Sequence, residues 1–215
     1  MKIKWLGHSC FLIQSDTGIK IITDPYSTTK GIHYAPIKET ADIVITSHDH
    51  FDHNAVGSIL GEPVIARRSG SITVKGIDFI GISSCHDAEG GKKRGNNVIF
   101  CFMVDKIRIC HLGDLGHVLS NSQIDDIGII DILLIPVGGY YTIDAGEAGQ
   151  ICERLQPKII IPMHFKTEKL DFPIADINDF IKGKSNVRKL TTDDLELYQS
   201  TLPATQQIVV LKHAL

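Results

Sequence analysis

Ile43-Val44-Ile45-Thr46-Ser47-His48-Asp49-His50-Phe51-Asp52-His53 passes from an apolar run into imidazoles and carboxylates with no linker between them. Ile43 to Thr46 is compact and β-branched, as strands in a sheet buried on both faces are. Histidine supplies 10 of the 215 residues, yet three fall within the six positions 48 to 53, beside two aspartates. In an extended stretch, residues two apart point the same way, so His48 and His50 can converge on one ion. After a turn, Asp52 and His53 can face a neighbouring ion. The alternative is a solvated polar loop with accidental histidines. Clustering at the end of a buried strand argues against it.

These residues cannot fill two coordination spheres, so further ligands are expected at other strand ends. His86 follows the run Ile77 to Ser83. Asp114 follows Ile107 to Leu112 behind Gly113, where the missing side chain lets the backbone come close. His164 follows Lys158 to Met163. Each lies just past a strand's carboxyl end, where ligand sites gather on sheets.

Working outward, Ile3 to Ile13 and Ile19 to Thr23 read as strands around the turn Gln14 to Gly18. Further strands are expected at Pro63 to Ala66, Ser71 to Val74, Val98 to Val104, Ile130 to Val137 and Gln207 to Lys212. Asp105-Lys106 is read as a turn. Asp144 with Glu147 is a capping-box start for a helix over Ala145 to Leu155, and Ile174 to Ile181 is a second helix. Many strands with helices at intervals suit one layered domain over 1–215, with two sheets packed face to face. No linker or low-complexity stretch divides the chain.

The net charge of −3 argues against a nucleic-acid footprint spread over the surface, while leaving room for a local basic cluster. The five cysteines form no C-x-x-C pair. Cys10, Cys101, Cys110 and Cys152 sit among apolar neighbours as small core residues do, and Cys85 stands beside His86. That usage suits a reducing cytosol. The start Met1 to Trp5 lacks a signal-peptide pattern, and no apolar segment reaches membrane-spanning length. A cytoplasmic location with no membrane partner is expected.

The order Asp24, His48-x-His50-x-Asp52-His53, His86, Asp114, His164 resembles the five-motif signature of the metallo-β-lactamase superfamily. Within it, the chain is similar to the cytoplasmic metal-dependent hydrolase branch related to the ascorbate-6-phosphate lactonases. The fragments behind that narrower likeness are Trp5-Leu6-Gly7-His8-Ser9-Cys10-Phe11, Thr23-Asp24-Pro25, Pro136-Val137-Gly138-Gly139-Tyr140-Tyr141-Thr142-Ile143-Asp144 and Ile161-Pro162-Met163-His164. The likeness runs from about residue 3 to 166, and residues beyond Leu170 match no motif. It implies an α+β, four-layer αββα sandwich with metals at the rim between the sheets. It implies that His48, His50 and His86 bind one metal, that Asp52, His53 and His164 bind the other, and that Asp114 bridges them. Asp24 would orient a histidine ligand. Two divalent ions ~3.5–4 Å apart can hold a hydroxide and polarise the oxygen it attacks, so no Ser or Cys nucleophile is needed. The ligand set suits Zn first, with Mn or Fe as alternatives. The expected reaction is hydrolysis of a small ester, lactone or phosphoester, with Asp52, Asp114 and Tyr141 bearing on catalysis.

Weaker signals surround this set. Glu89 to Asn97 reads either as an anion cradle, with Lys93 or Arg94 near the metals, or as a polar hairpin loop. A phosphorylated small-molecule substrate fits the first reading. Tyr141 either places a phenol over the substrate or packs in a strand-to-helix turn. His8 and His111 neighbour the motifs without belonging to them, and His111 is read as structural or as a support to the ligands. His33, His117 and His213 carry no pattern, and Arg67-Arg68 reads as a solvated turn. An iron-dependent oxidoreductase or dioxygenase on the same scaffold is the main alternative, and a non-catalytic metal-stabilised module the third. A mononuclear iron site would leave Asp52, His53 and His164 without a use. The sequence admits a homo-oligomer and is silent on the substrate.

Overall fold

In the computed structural model, which describes residues 1–215, the first apolar run is two strands rather than one. β1 (Lys2–Gly7) and β2 (Cys10–Gln14) pair antiparallel, because the chain reverses at Gly7 (φ 127°) and His8 (φ 53°). Gly7 must lack a side chain there, since a Cβ would lie 2.8 Å from the Tyr34 ring. β3 (Lys20–Thr23) returns antiparallel to β2, and β4 (Ile43–Ile45) and β5 (Val64–Ala66) add in parallel.

A second sheet begins with an antiparallel meander: β6 (Gly70–Val74), β7 (Ile77–Cys85), β8 (Asn96–Val104) and β9 (Ile107–His111). The β8–β9 turn is Asp105-Lys106, both at positive φ as a two-residue hairpin requires. β10 (Ile132–Pro136) and β11 (Ile159–Met163) continue it in parallel, and every residue in both is buried. Three short strands close the sheets: β12 (Val187–Lys189), β13 (Asp194–Glu196) and β14 (Gln207–Val210). The orders are β13-β1-β2-β3-β4-β5 and β12-β14-β11-β10-β9-β8-β7-β6.

Strand alternation sets the packing. Ile3, Trp5, Phe11, Ile13, Ile21, Ile43 and Ile45 belong to the main core with the second sheet. The alternate residues Leu6, Leu12, Ile22 and Val44 face outward and are covered by Tyr26, Ile32, Tyr34, Ile37, Ile59, Leu170 and Ile174. The expected sandwich is therefore present, with loops instead of helix as the outer layer over the first sheet.

Helices cover the second sheet. α1 (Asn121–Ile127) was not expected, although Ser120 and Gln123 form a capping box at its start. α2 (Ala145–Leu155) starts on the Asp144–Glu147 box and buries Ala148, Ile151, Cys152 and Leu155, spaced as one helical face. α3 (Ile177–Ile181) is shorter than the expected helix from Ile174. Asp176 caps it through the Asn178 amide, and Ile174 is committed to the loop layer. No helix is long and apolar enough to cross a membrane.

Candidate metal centre

Six strands deliver the site, three from each sheet. Just past their carboxyl ends stand His8 (β1), Asp24 (β3), His48 to His53 (β4), His86 (β7), Asp114 (β9) and His164 (β11). His8, Asp24 and His164 follow their strands directly at φ values of 53°, 37° and 50°. Such left-handed backbone costs ~1–3 kcal/mol per non-glycine residue and persists where surrounding structure over-determines it. Here it gathers three polar side chains into one buried place, each at most 1% exposed.

Asp114 Oδ2 is the geometric centre. It lies 3.2 Å from His53 Nε2, 3.2 Å from His164 Nε2, 3.3 Å from His86 Nε2 and 3.9 Å from His48 Nε2. On one side the ligand atoms of His48, His50 and His86 all lie within 4.8 Å of one another. On the other, those of His8, Asp52, His53 and His164 do the same. His48 Nε2, His53 Nε2 and Asp114 Oδ1 are buried with no hydrogen-bond partner. A cation is what such a cluster of orphaned polar atoms fits.

The protonation states agree. Burial, aided by the charge of His53, pulls His48 down to about 3, and burial also lowers His86. Burial, then His164, brings His8 to about 4. These imidazoles are neutral at pH 7, as metal binding demands. Burial works to raise Asp24, Asp52 and Asp114, but the histidines around them outweigh it, and all three are held below the usual carboxylate range. His53 is the exception. Burial opposes its charge, yet Asp114 and Asp52 prevail and push it well above the ordinary value. A cation in their midst would take over that proton's role.

A buried support lies behind the ligands. Asp24 Oδ1 accepts from the Ser47 amide at 2.6 Å, and Oδ2 accepts from Ser47 Oγ at 2.7 Å. Oδ2 also meets His53 Nδ1 at 3.1 Å and His111 Nε2 at 2.8 Å. Ser47 Oγ in turn lies 2.9 Å from His48 Nδ1. Asn97 accepts from the Asp114 amide at 3.0 Å and donates to the Leu112 carbonyl at 2.9 Å. Gly113 (φ 57°) allows this approach, because a Cβ there would lie 2.3 Å from Ser47 Cβ.

Several of these residues carry a weak local signal or none. His8, read as a bystander, is fully buried with Nε2 3.3 Å from Asp52 Oδ2 and its ring 4.2 Å from that of His164. Its signal is a glycine-then-ligand pair after an apolar strand, like Gly113-Asp114, masked because the apolar run continues on both sides of it. Asn97, Ser47 and His117 were also missed. His117 Nε2 accepts from the Cys85 amide at 3.2 Å.

The backbone of the Glu89 to Asn97 loop is not the anion cradle that its glycines suggested. Its amides at Glu89, Gly91, Lys93 and Arg94 donate to the Asp87 carboxylate at 2.8–2.9 Å and are not free for a ligand. Lys93 pairs with Glu89. Arg94 reaches the Tyr140 carbonyl at 3.1 Å and lies 5.5 Å over the Tyr141 ring, so the two tentative substrate residues do meet. Tyr141 also edges against Phe172, which in turn edges against His8.

Comparisons with known proteins fit this geometry. Residues 2–164 match a family model described as a beta-lactamase superfamily domain. A UPF0173 metal-dependent hydrolase of Carboxydothermus hydrogenoformans is 30% identical over 84% of this chain and 90% of its own length. One from Archaeoglobus fulgidus is 29% identical over 85% and 90%. A crystal structure from Thermotoga maritima, of a protein proposed to be a Zn-dependent hydrolase of the metallo-β-lactamase superfamily, is 38% identical. It covers 98% of this chain and 97% of its own, with a TM-score of 0.81.

Proposed function

The chain belongs to the metallo-β-lactamase superfamily and, within it, to the UPF0173 metal-dependent hydrolases, and from that premise we propose a dinuclear hydrolase acting on a small ester, lactone or phosphoester. His48, His50 and His86 would hold one divalent ion, Asp52, His53 and His164 would hold the other, and Asp114 would serve both. Zn is the first candidate on the likeness to the Thermotoga protein, with Mn and Fe compatible with the same nitrogen and oxygen donors. The observation that carries the reading is the position of Asp114 Oδ2, 3.2–3.3 Å from one histidine of the first set and two of the second.

When bound, such ions supply an activated water and polarise the substrate oxygen. The chain's own residues supply orientation. Asp24 fixes His53 through Nδ1, leaving Nε2 to face the site, and Ser47 does the same for His48. His8 Nε2 lies 3.3 Å from Asp52 Oδ2, the same oxygen that stands 3.7 Å from His53 Nε2, and so helps to position this carboxylate in the cluster. Asn97 pins the Asp114 backbone. The fragments Trp5 to Phe11 and Pro136 to Asp144 support placing the chain near the ascorbate-6-phosphate lactonases, and hence a lactone among the substrates.

Elemental analysis with a panel of phosphodiesters, lactones and thioesters, assayed with Zn and Mn, tests this. Two metals per chain and hydrolysis of at least one class are expected. Asp52→Ala and Asp114→Ala should each lose the second ion and most turnover. Metal content unchanged in both variants, or redox-active iron with no hydrolysis, overturns the assignment.

A further inference from the structure

Arg67 and Arg68 follow β5 as Thr46, Ser47 and His48 follow β4. These strands are parallel neighbours with Ile45 opposite Ala66, and the Thr46 amide donates to the Ala66 carbonyl at 3.0 Å. The two arginines thus leave the sheet at the same rim as the candidate metal ligands. They begin the link from β5 at the edge of one sheet to β6 at the edge of the other. Its backbone is seated hard on β7, since a Cβ on Gly81 would lie 2.4 Å from the Arg68 carbonyl.

A cleft of about 950 Å³ opens there, and its lining includes His48, His50, Arg67, Arg68 and Arg94. Only two lining residues are hydrophobic, and Asp49 is the one carboxylate among them. Asp49 accepts from Asn54. Neither Arg67 nor Arg68 makes an ion pair or side-chain hydrogen bond, and both are exposed. Arg94 is held by neutral partners alone, the Tyr140 carbonyl and the Tyr141 ring. Three arginines without an ion-pair partner therefore line one polar cleft in a chain whose net charge is −3. A cleft in which one sign of charge predominates, here three guanidinium groups against the single carboxylate of Asp49, focuses the field and concentrates ligands of the other sign. The planar arginine fork matches carboxylate and phosphate oxygens in pairs.

We propose that the substrate carries, apart from the bond that is cut, an oxyanion seated against Arg67, Arg68 and Arg94. Its chemistry is that of a phosphate monoester or a carboxylate. The inference rests on the hydrolase reading for the bond that is cut, while the anion site stands on its own lining.

Calorimetric titration of the metal-loaded protein with glucose 6-phosphate, gluconate and glucose tests it. One of the two anions should bind and glucose should not, and the tighter anion identifies the source of the charge. In the double variant Arg67→Gln/Arg68→Gln, with metal content and melting temperature checked against wild type, affinity should fall about tenfold or more. The single reversal Arg67→Glu should weaken it further than Arg67→Gln, and the affinity should fall with added salt. Binding indifferent to these substitutions, or glucose bound as well as either anion, overturns the proposal. Arginine-dependent binding in a protein without hydrolysis would sink the hydrolase reading and leave this one standing. Intact hydrolysis with arginine-independent binding would sink this one alone.

Discussion

Replacing Asp24 by Asn tests how the ligands are held. The change keeps side-chain volume, so no cavity confuses the result. Asp24 is fully buried and meets four polar groups: the Ser47 amide, Ser47 Oγ, His53 Nδ1 and His111 Nε2. Asn offers one acceptor oxygen in place of two. With that oxygen toward the histidines, its amide nitrogen faces the Ser47 N–H at 2.6 Å, donor against donor. With the amide reversed, His53 Nδ1 must accept, which drives its remaining proton onto Nε2, the atom 3.2 Å from Asp114. Either way the buried network loses its charge and at least one bond. Breaking a buried charged arrangement by altering one partner costs about 3–5 kcal/mol. For a domain of this size that lowers the melting temperature by about 6–20 °C. Loss of a group that orients a ligand also weakens metal binding by about 10–100-fold. Differential scanning calorimetry and a competitive chelator titration read the two effects. A melting point within about 2 °C of wild type, together with unchanged metal affinity, would refute the role given to Asp24.

Gly113→Ala should be destabilised by about 2–5 kcal/mol, summing left-handed strain and the clash with Ser47 and Asn97, and a denaturant midpoint equal to wild type would count against the packing described. The Asp87 carboxyl, burdened by burial but favoured more by the Arg94, Glu89, Lys93 and Gly91 amides, sits at about 2. Because its folded value is depressed, its hold on the 87–95 loop is complete above about pH 4 and is lost as pH falls through about 2. The protection factors of the Gly91 and Arg94 amides against hydrogen exchange should fall as pH drops across that window and stay flat above it. Chelation of a protein loaded at a hundredfold excess over its metal dissociation constant should remove about 2.7 kcal/mol of stability, a fall of about 5–11 °C in melting temperature. An unchanged melting temperature would show that the cluster is stable without an ion.

Much of the fold was legible because local chemistry and tertiary placement agree. α2 is readable to its ends: Asp144 and Glu147 cap it, and its apolar residues fall on one face. The run Ile3 to Ile13 misleads because both strands of the β1–β2 hairpin are apolar, and only Gly7-His8 marks the reversal between them. α1 has a Ser120–Gln123 start but only seven residues, too few to show a helical period. β12 and β13 are three residues each, and their place at the sheet edges depends on partners far along the chain. Among site residues, those behind strand ends could be picked from sequence. The placement of His8, His117 and the Arg67-Arg68 pair arises where two sheets meet, and no window of sequence contains both sheets.

That meeting of sheets explains why the rim holds so much unfavourable structure at once. Three residues in left-handed backbone, three ionised buried carboxylates and a crowd of neutral imidazoles would each be costly alone. Their costs are tied together. The backbone turns at His8, Asp24 and His164 exist to aim side chains at Asp52, His53 and Asp114, and those carboxylates are what lift His53 toward its charged form. The rest of the fold is able to hold them because the strands beneath are apolar and wholly buried, above all β4 and β11, which present their carboxyl ends to the rim from opposite sheets. A sandwich stabilised only by its core would gain from relaxing every one of these turns. Their persistence together, with His48 Nε2, His53 Nε2 and Asp114 Oδ1 still unpartnered, is the physical reason to read the rim as a cation site and not as a structural polar cluster.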